Sequence, residues 1–113
     1  MTLEKTLFEN KSPKVYEIYV KILGLLEEIG PFEVEVKKTS IHLVNRAAFG
    51  GVHPKKNWLD FNLVTNLQVE HEKITKAEQV SKNRVHNNFR FQTLEELDHA
   101  FFILLKESYE LMG

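Results

Sequence analysis

The residues able to do chemistry in this chain are few and scattered. Its five histidines, His42, His53, His71, His86 and His99, include no two at the one- to four-residue separations that set two ring nitrogens on one metal ion from a single strand or helix turn. A metal site would have to be assembled from distant strands, so no metal and no cofactor is expected. His71, between Glu70 and Glu72, reads as a solvated residue and His99 as a surface or boundary one, whereas His53 and His86 fall near basic or aromatic strand ends. The serines Ser12, Ser40, Ser81 and Ser108 lack a Gly-x-Ser-x-Gly turn, and Gly50-Gly51 belongs to neither glycine pattern that cradles phosphates. The carboxylate pairs Glu27-Glu28 and Glu95-Glu96 sit near helix ends, where solvation and the helix dipole account for them. There is no cysteine, which removes thiolate nucleophiles, thiolate metal ligands and disulfides, and fits a reducing compartment. The balance leans away from an enzyme.

Cations supply the stronger signal. The formal net charge of the 113 residues is −1, which on its face is poor for attracting anions. By segment the chain is acidic at both ends, −3 over residues 1–36 and −4 over 91–113, and carries +5 over 37–56 without one carboxylate. Lys37, Lys38, Arg46, Lys55 and Lys56 make up that run. Clustered Lys and Arg on a partly apolar sheet would form a groove for a phosphate, a nucleotide or an acidic peptide. The plainer reading, equally weighted, is a solvated sheet face whose cations pair with helix carboxylates and guard edge strands. Trp58, the lone tryptophan, falls by alternation on the face opposite Leu59, Phe61 and Leu63, and so reads as a stacking platform beside Lys55 and Lys56, or as a rim or dimer contact.

The elements that must position these residues follow from periodicity. A helix is predicted from Pro13 to Ile29, with Ser12 as N-cap, proline at the first position and Gly30-Pro31 as the stop; Val15, Ile18, Tyr19, Ile22, Leu25, Leu26 and Ile29 form its inner face. Before it, Leu3 to Asn10 makes at most a short turn or helix bringing Leu3, Leu7 and Phe8 to the core edge. A second helix is predicted from Leu94 to Met112, opened by the Thr93/Glu96 capping box, with one of Phe101 and Phe102 at a boundary. Between the helices the period changes to two: Val34 and Val36, Ile41 and Leu43, Ala47 to His53, Leu59 to Leu63, and Phe89 with Phe91 read as strands. Val69 to Asn83 is polar and reads as a long connection. The expected fold is α+β in one domain spanning 1–113: a mainly antiparallel four- to five-stranded sheet with an N-terminal and a C-terminal helix packed on one face.

Several landmarks in order resemble the bacterial family known as domain of unknown function 5655. They are Ser12-Pro13, Gly30-Pro31, Lys38-x-x-Ile41, Arg46-x-x-Phe49 followed by Val52, Lys56 before Leu59-x-Phe61-x-Leu63, Arg84 and His86 before Phe89 and Phe91, and Leu94-x-x-Leu97-Asp98 leading to Tyr109. The likeness spans nearly the whole chain. It implies a small α+β domain, found alone or as a terminal module of larger proteins, some of them nuclease-like, and it marks Lys38, Arg46, Phe49, Lys56, Arg84 and His86 as positions of interest. The chain departs from the pattern in Ser108 before Tyr109, where alanine is expected, and in Asn87-Asn88 after His86.

The leading expectation is a non-enzymatic binding module whose basic sheet surface, with Lys38, Arg46, Phe49, Lys55, Lys56, Trp58, Arg84 and His86, holds an anionic small molecule or an acidic protein segment. The alternatives are a nucleic-acid-associated accessory domain, a weak hydrolase using His53 or His86 with Arg46, and a structural domain that dimerises through an open sheet face. The start of the chain lacks the basic and apolar regions of a signal peptide, and the longest apolar run, 101–105, is too short to span a bilayer, so a soluble cytoplasmic monomer or homodimer without membrane contact is expected.

Overall fold

Helix α2 (Pro13–Ile29) forms where the sequence places it, with Pro13 at its first turn and Gly30 just past its end. Ser12 occupies the cap position, but its hydroxyl makes no capping bond; instead its backbone N–H donates to the Lys56 carbonyl (2.8 Å), tying the helix start to a sheet turn. These elements come from a computed structural model that describes residues 3–113, with side chains from Glu4 onward, so the expectation for Leu3 at the core edge lies outside the described side chains. The short helix α1 (Leu3–Thr6) precedes α2. Phe8 stacks on Tyr19 at 5.1 Å, and the buried Tyr19 hydroxyl donates to the Glu4 carboxylate, so one α2 side chain fastens the N-terminal turn.

The C-terminal segment departs from the single predicted helix. A 3-10 turn, Leu94–Glu96, is followed by a break at Leu97 and then helix α3 (His99–Leu111). Two local signals compete here. Glu96 turns back to accept the N–H groups of Gln92 (2.6 Å) and Thr93 (3.1 Å), while Asp98 accepts that of Phe101 (2.9 Å) and starts a helix of its own. Phe101 is fully buried and Phe102 lies at the boundary, as their adjacency required.

Six strands form one antiparallel sheet rather than four or five: β1 (Glu33–Val36), β2 (Ile41–Val44), β3 (Ala48–Pro54), β4 (Leu59–Thr65), β5 (Ile74–Ser81) and β6 (Arg84–Phe91), in the order β1-β2-β3-β4-β6-β5. The additional strand is β5, inside the segment read as a connection. It is an edge strand exposed along nearly its whole length, so no buried face imprints alternation on its sequence, and it is defined by pairing with β6. Because β6 inserts between β4 and β5, the chain from 66 to 73 must return along the sheet before β5 begins.

Antiparallel partners share a sheet face. Ile41, Val52, Phe61 and Phe89 form one such row, and Leu43, Gly50, Leu63 and Asn87 the next. These apolar rows join buried residues of α2 and α3 in one cluster, and both helices contact β3 and β4. Phe101 is its hub, meeting Phe61, Phe89 and Phe91 edge-on at 5.7, 5.2 and 4.9 Å. Asn87 is the polar exception, its amide donating to Leu63 O (3.2 Å) and Thr65 Oγ1 (2.9 Å).

Candidate functional site

The same registers define the opposite face. One row across the sheet reads His42, Gly51, Asn62, Asn88 and Lys76; the rows on either side carry His53, Asp60 and Arg90, and Val64, His86 and Glu78. Period-two alternation puts each polar side chain here because its neighbours, Leu43, Val52, Phe61 and Phe89, occupy the core.

Over this face lies an open hollow of about 360 Å³, lined by His42, His53, His86, Arg84, Asn62 and Gly51 among others. Among the described residues, no carboxylate and no hydroxyl side chain lines it. At its floor a Cβ built on the buried Gly51 would meet His53 Nε2 at 3.5 Å and His42 Cδ2 at 4.0 Å, so two imidazoles close over the glycine backbone. Burial pushes the His53 pKa below its usual value; Lys55 and His42 press the same way, while Asp60 opposes them. Asp60 is itself engaged by Arg90, whose Nε lies 3.4 Å from its Oδ1. A second hollow, about 420 Å³, shares Asn62 and His86 and adds Thr75, Lys76, Glu78, Asn88 and Arg90. Among the described residues, no three His, Asp or Glu side chains gather as metal ligands, and no helix is long and apolar enough to cross a membrane.

Three imidazoles, a guanidinium and a carboxamide around one hollow are hydrogen-bond donors suited to an anion. A family comparison supplies the chain's affiliation: it matches the model of the domain of unknown function DUF5655 over residues 4–112. The chain belongs to the DUF5655 family. No curated protein and no solved structure matches it.

Two of the DUF5655 landmarks meet in space. The Tyr109 hydroxyl donates to the Pro31 carbonyl (2.6 Å), and a Cβ on Gly30 would lie 2.6 Å from the Tyr109 oxygen, so this glycine permits the seating of α3 against the end of α2. Ser108 is buried beside it and donates to the Phe49 carbonyl (3.2 Å), which explains how a hydroxyl is accommodated there.

The predicted site residues of this DUF5655 chain separate into groups. Lys38 lies in the β1–β2 turn, and Lys55 and Lys56 in the β3–β4 turn, all exposed and at one end of the sheet. Arg46 lies in the β2–β3 turn at the other end, its backbone bonded to the Met112 carbonyl (3.1 Å). The basic run is therefore a set of hairpin turns at two ends, because charged residues fall where the chain reverses, and it forms no continuous surface. Phe49 is fully buried, packed edge-on against Tyr109 at 5.6 Å, and offers no surface to a ligand. Trp58 is half-buried with the Arg90 guanidinium 4.6 Å from its ring centroid, so a cation of the chain itself occupies one ring face. Arg84 and His86 do line the hollow.

The hydrolase reading called for His53 or His86 with Arg46 in one pocket. Both histidines line the hollow, but its arginine is Arg84, and Arg46 is not among the lining residues. Sequence reasoning missed His42, Gly51 and Asn62. Their signal was present: each alternates with residues assigned to the core, and aligning the strands would have placed them together. His71 was misread in the other direction. Its side chain is 4% exposed, with Nδ1 accepting the Lys73 N–H (3.0 Å) and Nε2 within 3.0 Å of Asp98 Oδ1.

Proposed function

We propose that this DUF5655 chain is a non-enzymatic binding module that holds a small anionic ligand on the sheet face opposite its helices. In this reading α2 and α3 both pack over the apolar face, and the face bearing the histidines is left for the ligand. The observation that carries the proposal is the hollow that His42, His53, His86, Arg84 and Asn62 line together, with no carboxylate in the lining among the described residues. Arg84 brings the permanent charge and the planar donor fork that suits a phosphate or carboxylate; the imidazoles and the Asn62 amide add directional donors. Among the described residues the lining has no hydroxyl nucleophile, which favours binding over covalent catalysis. Glu78, opposite His86 on β5, marks the acidic limit of the site and favours ligands confined to the first hollow.

Calorimetric titration with inorganic phosphate and pyrophosphate at two salt concentrations tests the reading. Binding should weaken with added salt, and Arg84→Gln should lower affinity about tenfold, the size of one lost charge-assisted hydrogen bond. Absence of binding, or binding indifferent to Arg84→Gln combined with His86→Gln, overturns it.

A further inference from the structure

Resting on that anion site, we infer that its ligand is an organic anion with a short aliphatic chain. The head group sits at Arg84 and His86, and the chain crosses the sheet over Val64 towards Ala48 and Met112.

The side chains of the histidine face change character along the strands. On β4 the residues turned this way run Asp60, Asn62 and then Val64, and on β5 they run Lys76, Glu78 and then Val80. At the same end of the sheet β3 contributes Ala48. Alternation does not ask for apolar residues here, because this face is turned from the core, and neither Val64 nor Val80 joins the core cluster. Val80 is 49% exposed, Ala48 is exposed, and Val64 and Met112 are half-buried, so all four offer surface to a ligand. Apolar residues scattered singly over a surface need no explanation, but these four line one hollow. Met112 is held there by its carbonyl, which accepts the N–H groups of Arg46 (3.1 Å) and Ala47 (3.0 Å) and pins the end of α3 beside the start of β3.

The charge lies inside this apolar end. His86 is the register partner of Val64 on β4, and Arg84, two residues before it on β6, pairs with Ser81, the neighbour of Val80 on β5. A head group held by Arg84 and His86 therefore has a valine on either side. From β6 the strip continues over Val64 to Ala48 on β3, two strand spacings or about 10 Å away. His42 and Asn62, in the next row, bound it on the polar side. A bare phosphate would leave the strip facing water, whereas a chain carried by the anion covers it while the head group keeps its donors.

Calorimetry on the full chain compares inorganic phosphate with methyl, butyl and hexyl phosphate, and acetate with butyrate and hexanoate. Butyl phosphate should bind about eightfold more tightly than methyl phosphate, about twofold for each added methylene; complete burial of a methylene gives about fourfold, and this hollow is open on one side. Butyrate should gain about fourfold over acetate, because the chain supplies the increment, and the tighter-binding series identifies the head group. Val64→Thr combined with Val80→Thr keeps side-chain shape and strand preference and should leave the melting temperature within about 4 °C. It should cut the butyl-over-methyl ratio to about threefold or less, since the added hydroxyls make the strip polar. On the unaltered chain, butyl phosphate should shift the methyl resonances of Val64, Val80 and Met112, and inorganic phosphate should leave that of Met112 unmoved. If affinity is flat with chain length, or the methyl resonances stay still under butyl phosphate, the aliphatic strip is wrong while the anion site stands. If none of the compounds binds, both are wrong.

Discussion

His71 and the histidines of the open face are the same side chain put to opposite uses. Around His71 both ring nitrogens are engaged: the Lys73 N–H donates to Nδ1, which leaves Nε2 to carry the proton toward Asp98. Asp98 in turn caps α3 through the Phe101 N–H, and Phe89 packs edge-on against the imidazole at 5.4 Å. Two residues away Lys73 pairs with Glu96 at 3.0 Å, so residues 71–73 are clasped twice to the junction between β6 and α3. His42, His53 and His86 have no such partners among the described residues. They stand on rigid, paired strands whose other face is core, with their polar atoms turned to a hollow. A satisfied imidazole in a network is architecture; three imidazoles with unspent hydrogen-bonding capacity on a fixed scaffold are a place for something else to bind.

The contrast makes its largest claim about stability. His71→Ala removes two hydrogen bonds and a ring from a nearly closed site and leaves the Lys73 N–H and part of the Asp98 carboxylate without a partner, a loss of about 2–4 kcal/mol. His86→Ala, on an exposed strand position, should change stability by less than about 0.5 kcal/mol. Chemical denaturation at pH 7 measures both. Equal losses for the two variants would break the distinction between an anchored and an open histidine.

Acid should separate the two regions by pH. His53 has a folded pKa depressed below 6.5, mainly by burial, and so binds fewer protons folded than unfolded; its contribution is complete above the unfolded value and falls away as pH drops from about 6.5 through the folded pKa. Asp98 is likewise depressed, chiefly by its hydrogen bond with His71, and its contribution is lost only as pH falls from 3.8 through its folded pKa. Burial pushes Glu96 up, but the Gln92 and Thr93 N–H groups and Lys73 hold it below 4.5, and its loss joins that of Asp98. A plot of unfolding free energy against pH should therefore fall in two stages. His53→Gln should flatten the upper stage alone and Asp98→Asn the lower alone; a variant that moves the other stage contradicts the assignment.

What the sequence made legible follows from which faces are buried. Helix α2 was readable to the residue because five of its side chains enter the core at helical spacing and proline and glycine bracket it. Strands β2, β3 and β4 were readable for the same reason with period two. Strand β5 was silent, since Ile74–Ser81 buries only part of Ile74 and owes its shape to β6. The single C-terminal helix was wrong because Thr93/Glu96 and Asp98 are both genuine caps five residues apart or less, and local rules do not say which one the helix obeys. His71 looked solvated between two glutamates because its partners, Asp98 and Phe89, are distant in sequence. The candidate site was half legible. Arg84 and His86 were marked, but the weight given to the 37–56 cations followed their closeness along the chain, whereas hairpins send successive turns to opposite ends of the sheet.

That last point carries the smallest expected effect and the sharpest use of the comparison. Lys38→Glu combined with Lys56→Glu reverses two charges of the run that first drew attention. Both belong to turns at one sheet end, while the row of Val64 and His86 lies five strand positions from Leu59, where that end begins, so the strand rise alone separates the turns from His86 by roughly 15 Å, against a screening length of about 8 Å at physiological salt. Phosphate affinity at that ionic strength should change by less than about twofold, while at about 10 mM salt, where the screening length reaches about 30 Å, the same pair should weaken binding measurably. A large loss at physiological salt would move the anion from the histidine face to the turns, and the open imidazoles would then need another explanation.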